Sequence, residues 1–165
     1  MTLADVLVPV VAFAALGCGL MGGLFFVFSN AVMPALGRLP AASAVAAMQA
    51  INLVILNPLF LALFAGTAVV CGAILLGGFV GWHPLSFELV AGAVLYLVGT
   101  FGVTAAVNVP LNNALVPFDA AGAEAAAFWP EYAARWTRWN HVRTIASLAA
   151  AVAFTFAIYR LGVLA

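Results

Sequence analysis

Near its end the chain carries the run Trp136-Thr137-Arg138-Trp139-Asn140-His141-Val142-Arg143-Thr144. Imidazole, guanidinium, carboxamide and indole groups set close together can move a proton, hold an oxyanion and stack against an aromatic ring. His141 is a candidate general base. A satisfied interfacial histidine is the competing reading, and an axial ligand to haem stays open as a third. Arg143, on a face shared with Tyr132, Trp136 and Trp139, can lie against indole rings or hold an anionic oxygen of a substrate. An aromatic membrane belt accounts for the tryptophans equally well. On a regular helix His141 and Arg143 lie about 160° apart, with Asn140 and Thr144 pointing between them. The two are therefore expected to flank one cavity from opposite sides without touching. Ser147 and Thr155 are expected to continue that polar edge toward the interior.

A second polar group lies upstream. Tyr96, Thr100, Thr104 and Asn108 recur every four residues and fall near one helix face, where interhelical hydrogen bonding is the plainer explanation. In Asn108-Val109-Pro110-Leu111-Asn112-Asn113, Pro110 frees backbone carbonyls beside three carboxamides. A polar pocket at a membrane boundary is predicted there, with Thr104, Asn108, Asn112, Asn113, Trp136, Trp139 and Thr144 as candidate binding residues and His141, Arg143 and Asn140 as candidate catalytic ones.

Other chemistries are disfavoured. Asp119, Glu124 and Glu131 are separated along the chain from Asp5 and Glu88, so no two-carboxylate hydrolase site is predicted. Cys18 and Cys71 sit in apolar runs and read as core residues rather than a disulfide or zinc site. No second histidine stands at ligand spacing, which leaves His141 a metal ligand only if haem is present. No nucleotide-binding glycine motif or nucleophile elbow occurs. All five basic residues are arginine and the net charge is zero, so nucleic acid is not an expected partner.

The elements that must position these groups are hydrophobic helices. Apolar residues make up 67% and charged residues 6% of the 165 positions, a ratio that cannot cover a water-facing surface. The predicted fold is all-α, a four-helix transmembrane bundle in a single domain over residues 1–165, with spans at about 6–28, 59–80, 87–107 and 142–161. Interfacial helices are expected in the first and third connections. The first is Ala41 to Leu56, interfacial or re-entrant, and the third connection covers 108–141, with a helix beginning near Pro130. The Gly81-Trp82-His83-Pro84 turn closes a hairpin, with His83 a solvated loop residue. Glu131, Arg135 and Arg138 share a face suited to a solvated ion-pair network. Ala15, Gly19 and Gly23 form a small-residue stripe that favours close helix packing, within the chain or between copies in a homo-oligomer.

Arg38, Arg135, Arg138 and Arg143 fall on one membrane side against Arg160 on the other. The positive-inside rule then sets the long connections in the cytoplasm and both termini outside. Nothing resembles the paired broken helices of a transporter.

The segments Asn108-Val109-Pro110-Leu111-Asn112, Trp136 to Thr144 and Val32-Met33-Pro34-Ala35-Leu36 together resemble the anthrone oxygenase-like integral membrane family, over nearly the whole chain. The resemblance implies oxidation of a hydrophobic aromatic, anthrone- or quinol-like substrate by dioxygen. The cofactor stays open between none and haem. The alternative is a non-enzymatic membrane protein that binds a small molecule or lipid.

Overall fold

The computed structural model describes residues 3–80 and 86–164. The 81–84 turn and His83 lie outside the described residues. The described chain is helical throughout. Helix α1 runs Leu3–Val27, widens into a π-turn at Phe28–Val32 and ends with Met33–Leu36. Helix α2 is Ala41–Val54 and α3 is Pro58–Val80. Helix α4 starts at Ser86–Val94, passes through π-helical Leu95–Gly102 and Thr104–Asn108, and ends with Val109–Leu115. Helix α5 is Ala123–Leu164. Four of these helices are long and apolar enough to cross a membrane.

The helices outrun the spans predicted from hydropathy. The third connection, expected over 108–141, shrinks to the loop between Leu115 and Ala123. Pro130 lies inside α5 rather than at its start. A proline there removes the hydrogen bond to the Ala126 carbonyl, and both residues are exposed, where solvent can satisfy that oxygen.

The extra length builds a second core. The first cluster, including Val11, Cys18, Phe64, Tyr96 and Phe154, fills the bundle. The second joins Met33 and Leu36 of α1, Ala44, Val45 and Met48 of α2, Leu111 and Leu115 of α4, and Trp129, Tyr132 and Trp136 of α5. Helix α2 is therefore a wall of this cap and does not re-enter the bundle. Glu88 and Arg160 pair at the opposite end. About 20 residues cross a hydrocarbon core, and that count from Glu88 along α4 and from Arg160 back along α5 arrives at Asn108 and Asn140. In a membrane of that thickness the cap would lie beyond the hydrocarbon, where burying an aromatic or aliphatic side chain contributes roughly 1.5–3 kcal/mol. In the bundle, van der Waals packing and hydrogen bonds must serve instead.

Both prolines of the polar motifs sit just after a π-turn. The Met33 N–H reaches back five residues to the Phe28 carbonyl, and the Val109 N–H does the same to Thr104. Pro34 and Pro110 follow directly, lacking an N–H and crowding the preceding turn, so the helix widens ahead of them. In an α-helix a four-residue series drifts about 40° per step; the wider turns offset that drift. Tyr96, Thr100 and Asn108 are all buried and Thr104 half-buried. The Tyr96 hydroxyl donates to the Phe64 carbonyl at 3.0 Å, and Thr100 bonds Ser147 at 2.7 Å. Thr155 does not extend this edge. It is exposed and bonds Ala151 of its own helix, because the eight residues from Ser147 advance it about 80° round α5.

Close helix approach is made by glycines other than the predicted stripe. A Cβ on Gly19 or Gly23 would meet nothing within 4 Å, so these two glycines make no close approach within the chain, while Ala15 packs against the first core. At Gly99 a Cβ would lie 2.5 Å from the Ala146 Cβ, and at Gly17 2.1 Å from Thr67 Oγ1. Gly99→Val is expected to push α4 off α5 and destabilise the protein by about 1–3 kcal/mol, whereas Gly23→Val leaves stability unchanged. Thermal unfolding in detergent separates the two, and equal midpoints would overturn this packing.

Candidate functional site

Between the two cores lies a cavity of about 440 Å³, within the range of small-molecule sites. Its walls come from all five helices and from the loop residues Ile55, Leu56, Val116 and Phe118. On the α1 side stand Phe25 and Phe28, and on the α5 side Trp136, whose ring is 5.7 Å from that of Phe28. The mouth lies at the α2–α3 corner and the end of α4, where Leu53 and Val116 are 76% and 66% exposed.

Among the described residues Arg143 is the only ionisable side chain lining the cavity, and it is 5% exposed. Its Nη2 donates to Asn140 Oδ1 at 2.7 Å and its Nη1 to Thr104 Oγ1 at 3.3 Å. The guanidinium carbon lies 4.2 Å from the Phe25 ring centroid and 5.1 Å from that of Trp136. Arg143 Nε has no partner. Among the described residues the ion pair is Arg160 with Glu88, so no carboxylate neutralises Arg143. A buried cation is costly unless it is paired; here carboxamide, hydroxyl and two ring faces hold it, and the open cavity lies beside it.

Asn140 fixes this geometry. It is fully buried, and its Nδ2 donates to the Phe25 carbonyl at 2.7 Å and to Ser29 Oγ at 2.6 Å, tying α5 to the π-turn of α1. Thr144 is buried behind it, its hydroxyl donating to the Asn140 carbonyl. Asn112 Oδ1 accepts from Tyr132 Oη at 3.0 Å and from Trp136 Nε1 at 2.9 Å, which sets the indole plane. Asn108 Nδ2 donates to the Trp136 carbonyl at 3.3 Å. Asn113 is exposed at the cavity rim, and Trp139 is half-buried outside the lining.

His141 is placed elsewhere. It is exposed and borders a shallow groove with Ser29, Met33, Pro34, Thr137 and Arg138. The expectation that His141 and Arg143 flank one cavity is therefore corrected: α1 packs against α5 between their two faces, and each side chain opens on a different hollow. Nor do Glu131, Arg135 and Arg138 form the predicted ion-pair network; all three are exposed, without a charged partner within 4.0 Å.

A haem does not fit these residues. The cavity lining contains no histidine, cysteine, methionine or tyrosine to act as axial ligand. The groove at His141 offers no aromatic walls. No cluster of three metal-ligating side chains occurs among the described residues.

The sequence reading missed the walls supplied by α1 and α2. Gln49 and Asn52, three residues apart, are the two carboxamides of a largely apolar segment and share one face. That signal was present. Gln49 Nε2 donates to the carbonyls of Leu115 and Phe118, both at 3.0 Å, holding the loop over the cavity. Phe25 and Phe28 carried no such signal among so many apolar neighbours.

Four helices long and apolar enough to cross a membrane enclose an aromatic-walled cavity with a buried guanidinium, which places the chain in the class of helical proteins suited to a membrane. The anthrone oxygenase family matches residues 56–153, more than half of the chain, and the chain belongs to that family. The match takes in Asn108, Asn112, Trp136, Asn140 and Arg143. Comparisons with curated proteins and with solved structures return no match.

Proposed function

We propose that the chain is a membrane-embedded oxygenase that binds a hydrophobic anthrone- or quinol-like aromatic as its oxyanion and delivers it to dioxygen. The observation that carries this reading is Arg143, a buried cation without a carboxylate, facing an apolar cavity. Membership of the anthrone oxygenase family supports the reaction class.

The chemistry follows from charge. An anthrone that loses a proton from its ring CH₂ becomes an anion delocalised between that carbon and the ring oxygen. Arg143 stabilises the charge on oxygen, worth more in a water-poor site than in solution. The carbon adds dioxygen to form a peroxide anion, which takes up a proton. Loss of water then leaves a second ring carbonyl, so CH₂ and O₂ give C=O and H₂O. No carboxylate or imidazole lines the cavity, so the substrate proton leaves to water at the membrane boundary, its loss favoured because the fixed cation stabilises the anion left behind. Phe25, Phe28 and Trp136 stack on the rings and limit the water beside the anion. By the arginine bias this end of the bundle faces the cytoplasm.

His141 has no part in this scheme. His141→Ala is expected to keep oxygen uptake with an anthrone within about threefold of wild type, against the roughly 10²–10⁴-fold loss that follows removal of a general base. An oxygen electrode on protein in lipid vesicles decides it, and a loss of that size would restore the histidine to the mechanism. Absence of uptake by wild-type protein with any anthrone or quinol would favour the non-enzymatic binding protein.

A further inference from the structure

Four buried side-chain atoms among the described residues lack a hydrogen-bond partner: Asn52 Nδ2, Glu88 Oε2, Asn108 Oδ1 and Arg143 Nε. Glu88 stands at the far end against Arg160. The other three side chains all line the one cavity. Buried polar atoms in folded proteins nearly all find partners; these three atoms are closed off in the wall of the cavity, and orphans gathered in one wall point to a ligand toward which the side chains turn and which supplies what is missing.

The polarity of the missing groups can be read. Asn108 is 1% exposed, and its Nδ2 is committed to the Trp136 carbonyl. Turning the amide over would set two oxygens face to face, so the orphan is an acceptor and requires a donor. Arg143 Nε is a donor and requires an acceptor. Thr104, which receives Arg143 Nη1, is four residues from Asn108 on α4, and such neighbours are about 5–6 Å apart on a helix. The two demands therefore fall side by side.

We propose that Asn108 is the specificity-determining residue of the cavity, its Oδ1 accepting a hydrogen bond from a ligand hydroxyl beside the oxygen that Arg143 holds. The ligand class is then a hydroxylated aromatic ketone or phenol. A bare polycyclic ketone leaves Asn108 unpartnered, and a methyl ether at the same position brings a second acceptor against it. This deepens the reading of the cavity as the substrate site and rests on it.

Binding of unreactive quinones tests the proposal apart from turnover. Tryptophan fluorescence quenching in vesicles is measured with 9,10-anthraquinone, its 1-hydroxy and 2-hydroxy derivatives, and their methyl ethers. At least one hydroxy derivative is expected to bind wild type about tenfold or more tighter than both the parent and its own ether. Asn108→Leu is expected to reduce that preference to within about twofold while still binding the parent quinone, which also reports that the cavity is intact. If that variant does not fold, Asn108→Ala, which adds no bulk, is read in the same way. Wild-type protein indifferent to the hydroxyl, or a variant that keeps the preference, overturns the proposal. Discrimination without oxygen uptake would instead remove the oxygenase reading and leave the role of Asn108 standing.

Discussion

Arg143→Met is expected to lower kcat/KM for oxygen uptake with an anthrone by about 10²–10³-fold, the scale on which a single oxyanion-stabilising group acts. The same substitution is expected to hold or raise the thermal midpoint. Arg143 is 5% exposed and has no carboxylate partner, and exchanging buried charge for a well-packed apolar side chain is often neutral or stabilising by about 1–4 kcal/mol. Opposite signs on activity and stability separate a group kept for chemistry from one kept for the fold. Arg143→Lys should recover little turnover, because an ammonium on a shorter reach cannot bond Asn140 and Thr104 together while stacking between Phe25 and Trp136. Oxygen-electrode rates and differential scanning fluorimetry on one preparation suffice. Turnover that survived, or that fell only in step with the midpoint, would rule out oxyanion stabilisation by this residue.

Asn140→Leu is expected to fail on both measures. Its carboxamide bonds the Phe25 carbonyl, Ser29 and Arg143, and Leu leaves all three groups short of a partner in a buried place. Loss of such a network costs about 2–4 kcal/mol. Arg143, released from Nη2, should also lose about 10–100-fold in kcat/KM through misplacement alone. A midpoint equal to wild type would contradict the bridge between α5 and the π-turn of α1. The pair of variants is informative together, since Asn140 acts by positioning and Arg143 by charge.

Much of the architecture was legible in the chain. Apolar run length gives four spans and an all-helical fold, because in lipid every backbone polar group has to be satisfied within its own segment. The predicted segment Ala41 to Leu56 agrees with α2 to within two residues. Asn108, Asn112, Trp136, Asn140 and Arg143 are singled out by residue type and spacing, and the structure groups them along the α4–α5 seam. Hydropathy marks spans shorter than the helices because α1, α4 and α5 run on past their apolar stretches without ending. Their continuation depends on a cap core that only distant segments can complete.

What the sequence determined by itself is local: which stretches are helical and apolar, where prolines interrupt them, and which side chains could carry charge or hydrogen bonds. Tertiary structure decided which of those side chains share a space. His141 and Arg143 are two residues apart, yet packing of α1 against α5 sends one to the surface and the other into the cavity. Residues on opposite faces of one helix are separated by whatever packs between them, and that neighbour is chosen by contacts far along the chain.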